Sequence, residues 1–254
     1  MHAEELEANE KQVNVYLNNA AFDTALFEPL IDSFDRIFSD ARYFQCDNAD
    51  VVRNLIENAS DGAGIDLGML CLFSPDEKRN RSLVERLKEH GFEYQPYLRS
   101  FDQVLVSASC ALAKKSSLSR TDILSRPIVS SDGDIRRVAE MLFGRNAIYM
   151  VTSDSSFRFK VVANDEAITF VPAFHAIING DDGKTVMVPM KDPYRLELGF
   201  AAREGVLANP YIQDVIACMN EYYRPYAGST RFTIVESELT RVGSVHNTAD
   251  AARG

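Results

Sequence analysis

The segment Asp66-Leu-Gly-Met-Leu-Cys-Leu-Phe73 constrains this chain most. After Asp66 it is almost continuously apolar, without the polar–apolar alternation of a half-exposed strand. Such a strand needs cover on both faces, the environment of an inner strand in a helix-covered parallel sheet. The preceding residues supply that cover. Val13 to Leu17 is a short β-type run, and Phe22, Leu26, Phe27, Leu30, Ile31, Phe34, Ile37 and Phe38 then recur at helical steps. Ala41 to Cys46 reads as a second strand. Asn48 stands where a helix N-cap is expected, before Val51, Val52, Leu55 and Ile56, and Asp-Gly-Ala-Gly at 61–64 breaks that helix. Strands alternating with helical crossovers predict an open α/β sheet.

The pattern then runs through a charged helix (Pro75 to His90) and an extended stretch (Phe92 to Ser100) before it restarts. Strands are predicted at Val104 to Cys110, Pro127 to Ser130, Ala147 to Thr152, Ala167 to Val171, Thr185 to Met190 and Arg195 to Ala202. A helical turn is expected at Asp122, and Ile135, Val138, Ala139, Leu142 and Phe143 mark another apolar helical stripe. Asn209-Pro210 is a good helix start, with Asn as cap and Pro at the first helical position. From about Arg224 the chain is polar and tail-like. Two α/β units joined by extended strands usually leave a cleft, and small molecules bind in such clefts.

Composition narrows the function. Hydrophobic residues make up 46% and charged residues 25%, which suits a globular protein and excludes disorder. The formal charge of −10 repels phosphate backbones, so nucleic-acid binding by this chain alone is not expected. No apolar run is long enough to span a membrane, and the acidic start MHAEELEANEKQ lacks the order of a secretion signal. The expected location is the cytoplasm, with Cys46, Cys71, Cys110 and Cys218 as free thiols and no CxxC pair. His2, His90, His175 and His246 have no partner at metal-ligand spacing. The stretch Asn179 to Thr185 ends in Gly-Lys-Thr, but its glycines stand too close together for a phosphate loop, and a strand follows where a helix is needed. Asp181-Asp182 there reads as a solvated turn. No catalytic constellation emerges, which favours a binding module without a cofactor or metal.

The order of motifs resembles one known family. Leu26-Phe-Glu-Pro-Leu-Ile-Asp-Ser-Phe34 looks like an LLPxLLxxF helix, and Asp66-Leu-Gly-Met69 like a strand ending in DLGI. Val104-Leu-Val-Ser-Ala-Ser-Cys-Ala-Leu-Ala113 is similar to a strand leading to HPLA, and Val162 to Pro172 to VAAGLGIALLP. In that order, from about Val13 to Tyr223, the chain resembles the effector-binding domain of LysR-type transcriptional regulators. It departs from the pattern where Cys110-Ala111 replace His-Pro, where Asn164-Asp165-Glu166 replace a glycine-rich turn, and in the helix Pro75 to His90, which reads as an insertion.

The resemblance implies two Rossmann-like lobes joined by a hinge, a type 2 periplasmic-binding-protein-like fold. Residues 13–102 and 206–226 would form lobe I and 103–205 lobe II, with 1–12 as the end of a linker and 227–254 as a tail. It further implies small-molecule effector sensing, not enzymatic activity. The signal would pass through a homodimer or homotetramer to DNA, which is reached only through a winged helix-turn-helix outside this chain. A solute-binding protein of an ABC transporter is the alternative on the same architecture, and an enzyme on it a third reading. In the family, polar residues at strand ends and at a lobe II helix N-terminus line the cleft. The matching positions are Asn19, Asn48, Ser130, Ser131 and Asp134, with Arg99 at the crossover. Asn48 and Asp134 could equally be simple helix caps, and Arg99 a surface ion pair. As effector-binding residues, the set suits a carboxylate-bearing or otherwise polar effector.

Overall fold

The computed structural model describes residues 12–19, 27–58, 64–173, 183–224 and 232–235. The expectations for Phe22, Leu26, His2, His175, His246, the Asp181-Asp182 turn and most of the two terminal segments lie outside these residues. The first lobe is built on a sheet of β1 (Gln12–Asn18), β2 (Asp40–Cys46), β3 (Ile65–Phe73), the first half of β4 (Phe92–Ser107), β9 (Arg195–Arg203) and β10 (Phe232–Ile234). Their spatial order is β10-β4-β9-β3-β1-β2. β1 pairs in parallel with β2 and β3, while β9 runs antiparallel to both β3 and β4.

The packing of β3 shows why its sequence after Asp66 is apolar. Leu67, Met69, Cys71 and Phe73 enter the main core with Leu30 and Phe34 of helix α1 (Phe27–Ile37). Leu70 and Leu72 enter a second core with Val51, Val52 and Leu55 of α2 (Asn48–Glu57). Fully burying one such side chain contributes roughly 1.5–3 kcal/mol, so both faces are strongly specified. Gly68 lies under α2: a Cβ there would come within 2.7 Å of Leu55 Cδ1 and Val51 Cγ1. The glycine lets helix and strand approach this closely. Helix α3 (Glu77–Glu89), which reads as an insertion, adds Leu83 and Leu87 to the second core and is integral to the lobe.

β4 joins the lobes. Its first half pairs with β9 as far as Phe101↔Arg195, and its second half pairs with β7 (Thr169–Pro172) and β8 (Thr185–Pro189). The two predicted stretches, Phe92 to Ser100 and Val104 to Cys110, are therefore one strand ending at Ser107. Lobe II adds α4 (Arg120–Leu124), β5 (Ile128–Ser130), α5 (Asp134–Phe143), β6 (Ile148–Val151) and α6 (Ser155–Ala163). β5 pairs in parallel with β6, and Ile128 bridges to Ile168 beside β7.

Three local expectations are corrected. β9 belongs to the lobe I sheet, so the chain leaves lobe II between Met190 and Arg195, earlier than the boundary at 205. Its run Leu196 to Ala202 matches an inner strand of either lobe, and pairing with β3 decides the matter. Asp47, not Asn48, caps α2, accepting from the Asp50 N–H at 2.9 Å. Helix α6 has no counterpart among the sequence expectations, because Phe157, Phe159 and Val161 alternate as in a strand. Its cap is Asp154, which accepts from the Phe157 N–H at 2.9 Å. The predicted final helix forms as α7 (Pro210–Tyr223), with Asn209 accepting from the Tyr211 N–H at 2.9 Å.

Candidate functional site

The lobes meet where β1 and β2 end in lobe I and β5 ends in lobe II. After β5, Ser130 and Ser131 are buried, and Ser130 Oγ donates to the Ser131 carbonyl at 2.9 Å. The chain then turns through Gly133, whose φ of 72° is in the region that favours glycine, and starts α5 at Asp134. The turn passes close to lobe I: a Cβ at 133 would lie 3.2 Å from Asn19 Nδ2 and 3.7 Å from Asp47 Cβ. Asn19 is half-buried there.

Asp134 crosses the junction. Its Oδ2 accepts from Asn18 Nδ2 at 2.9 Å and from the Asn48 N–H at 2.8 Å. Its Oδ1 accepts from an Arg79 guanidinium N–H at 2.6 Å. The Asn48 N–H is one of the free donors at the start of α2, where the helix dipole also favours an anion. The Asp134 side chain is only 6% exposed and that of Arg79 25%, so solvent screens the pair weakly. A second bridge, Arg137 Nε to Asp76 Oδ2 at 2.6 Å, links α5 to the turn before α3 at the surface.

Asn48 is pinned by backbone. Its Nδ2 donates to the Cys71 carbonyl at 2.5 Å, and its Oδ1 accepts from the Cys71 N–H at 3.0 Å and from Asn18 Nδ2 at 2.8 Å. The amide thus pairs with the backbone of β3, and its own N–H faces lobe II. Of the residues singled out from sequence, Asn19, Asn48, Ser130, Ser131 and Asp134 fall at or beside this junction. Arg99 does not join them. It projects from the lobe I half of β4, where its Nε donates to Glu197 Oε2 on β9 at 2.7 Å. Sequence reading missed Asn18 and Arg79. Strand parity puts Asn18 opposite Leu17, one position from the residue chosen, but nothing distinguishes Arg79 among the charges of α3.

The hinge holds a second polar pair. Where the two crossing segments lie side by side, the buried Tyr194 hydroxyl donates to Asp102 Oδ2 at 2.5 Å. Asp102 Oδ1 is buried without a hydrogen-bond partner. Burial pushes the Asp102 carboxyl up to about 7, with the tyrosine bond pulling weakly the other way.

Burial raises the thiol pKa of Cys46, Cys71 and Cys218, which is opposite to the shift of a reactive thiolate. Among the described residues there is no His, Cys, Asp or Glu cluster able to hold a metal. No described helix is long and apolar enough to cross a membrane. A separate pocket of about 460 Å³ lies on the outer face of lobe I, between α3 and the sheet, with Tyr94, Arg195 and Glu197 in its wall.

Two lobes that, among the described residues, two segments connect, with a polar junction between them, define a two-lobed α/β fold. Solved structures give that class a narrower form. The regulatory domain of MetR, a LysR family regulator from Neisseria meningitidis, superposes with a TM-score of 0.63 at 15% identity, covering 89% of this chain and 98% of its own. The reduced OxyR regulatory domain from Pseudomonas aeruginosa gives 0.58 at 15% identity, over 83% and 98%. HinK, a LysR family transcriptional regulator from Pseudomonas aeruginosa, gives 0.59 at 16% identity, over 87% and 75%. No protein-family model and no curated protein matches the chain. The chain therefore has the fold of LysR-family regulatory domains, the type 2 periplasmic-binding-protein-like fold expected from its motifs.

Proposed function

We propose that this chain is the effector-sensing domain of a LysR-type transcriptional regulator and works without bond chemistry. The observation that carries the reading is the polar junction at Asp134, set between lobes that, among the described residues, β4 and the segment before β9 connect. A small polar effector, with a carboxylate as the favoured group, enters between the lobes beside Asn19, Asn48, Ser130, Ser131 and Asp134. It favours one lobe arrangement by its difference in affinity for the two. Arg99 is left out of this site, because Glu197 already holds its guanidinium.

The change is read out by an assembly. Among the described residues β2 is an edge strand of the lobe I sheet with Phe44 42% exposed, next to α1, so this side suits pairing with a second copy. A homodimer or homotetramer in the cytoplasm then passes the change to DNA through a winged helix-turn-helix outside this sequence. The test is a thermal-shift screen of small organic acids and neutral polar metabolites, with small-angle scattering on each hit. A hit that raises the apparent stability and changes the particle dimensions supports the reading. Conversion of the hit to product would favour an enzyme instead. Light scattering is expected to give at least a dimeric mass.

A further inference from the structure

Asp134 does to lobe I what a bound organic acid would do. One of its oxygens takes Asn18 Nδ2 and the Asn48 N–H, at 2.9 and 2.8 Å, and the other takes Arg79 at 2.6 Å. All three donors belong to lobe I, and the carboxylate comes from lobe II. The N-cap of α5 is Gly133, which offers no side-chain cap, and the Asp134 carboxylate directs these bonds to lobe I rather than to its own helix. The elements that carry Asn48 and Arg79 are held independently of it. Asn48 is fixed by both polar groups of Cys71, and its N–H belongs to the first turn of a ten-residue helix. Arg79 sits on α3, which is anchored by Leu83 and Leu87 in the second core.

We propose that Asn18, the Asn48 N–H and Arg79 form a carboxylate-binding cradle in lobe I, and that Asp134 is its built-in occupant, latching the lobes together. Combined with the sensing role of the domain, on which this second half rests, the cradle gives the effector its mode of action. An acidic effector displaces Asp134 from the cradle and so releases the latch. Donors shared between the two oxygens favour a carboxylate over a single-atom anion such as chloride.

The latch can be tested without knowing the effector. Asp134→Ala removes the occupant and leaves the cradle. Its thermal midpoint is expected to rise with sodium acetate in a saturable way, against sodium chloride at equal ionic strength. At ten times the acetate Kd the folding equilibrium constant rises about elevenfold. The parent chain, with its cradle filled, shows no such difference between the salts, and neither does the double variant Asp134→Ala with Arg79→Gln. If Asp134→Ala fails to fold in chloride, recovery in acetate supports the cradle equally well. Equal behaviour in the two salts, or failure to fold in both, overturns it. So does an acetate response that survives Arg79→Gln. Acetate is too small to bridge the lobes, so its binding reports on the cradle alone. An effector found in the screen while acetate has no effect would overturn the cradle and leave the sensing role standing.

Discussion

Asp102 is expected to make the stability of this protein fall as pH rises through the neutral range. Its carboxyl is buried at the hinge, receives one hydrogen bond from Tyr194, and leaves Oδ1 without a partner. Ionisation there lacks solvation, and burial pushes the group from 3.8 up to about 7. The folded state therefore keeps a proton that the unfolded chain releases above about pH 4. Stability from this group is fully present below about pH 4, declines at about 1.4 kcal/mol per pH unit, and levels off above about pH 7. The whole span corresponds to roughly 4 kcal/mol, of which about 2–3 kcal/mol falls between pH 5 and 8. Asp40 and Glu140 are shifted downward by their hydrogen-bonded partners and act in the opposite direction, but they lose their stabilising effect only in acid, below this window. Asp102→Asn keeps the shape and an acceptor for Tyr194 and cannot ionise. Urea unfolding at pH 5, 6, 7 and 8 should show the parent losing about 2–3 kcal/mol relative to this variant, with Asp102→Asn the more stable of the two at pH 8. Parallel pH profiles for the two proteins would refute the assignment of this titration to the hinge.

The remaining expectations concern single contacts. Gly68→Ala forces a methyl group to within 2.7 Å of Leu55 and Val51 and should cost about 1–3 kcal/mol by urea unfolding; a neutral effect would mean that α2 moves freely off β3. Asn48→Ala leaves the buried Cys71 N–H and carbonyl without their side-chain partner, an expected loss of about 1–3 kcal/mol in the same assay, and a loss below about 0.5 kcal/mol would count against that pairing. Arg99→Ala breaks an ion pair in which the arginine is 42% exposed, so less than about 1 kcal/mol is lost and effector binding is unchanged; several-fold weaker binding of a screened hit would return Arg99 to the site. With its charge of −10, the chain should leave duplex DNA unshifted in a native gel at moderate salt, and a sequence-specific shift would contradict this.

What the sequence determined by itself is the set of elements whose burial is written into consecutive residues. The apolar run Leu67 to Phe73 demands cover on both faces wherever it sits, and Asn209-Pro210 starts a helix from local chemistry. The motif order from α1 to the final helix was legible for the same reason, and with it the two-lobed fold. Tertiary structure decided everything that depends on which surfaces meet. β9 could have joined either lobe until it paired with β3, and α6 lacks the apolar stripe that would have announced it. Asn48 looked like a cap because capping is a local role, whereas its amide is claimed by Cys71, 23 residues away. Asp134 and Arg79 are 55 residues apart and say nothing about each other until α5 and α3 face across the junction. Asp102 is an ordinary acid in the chain, and only the packing that brings Tyr194 to it and removes water changes its proton affinity. Hydrophobic periodicity is a property of neighbours in sequence, but a polar site is made by neighbours in space, because hydrogen bonds and desolvation act over a few ångströms regardless of how much chain lies between.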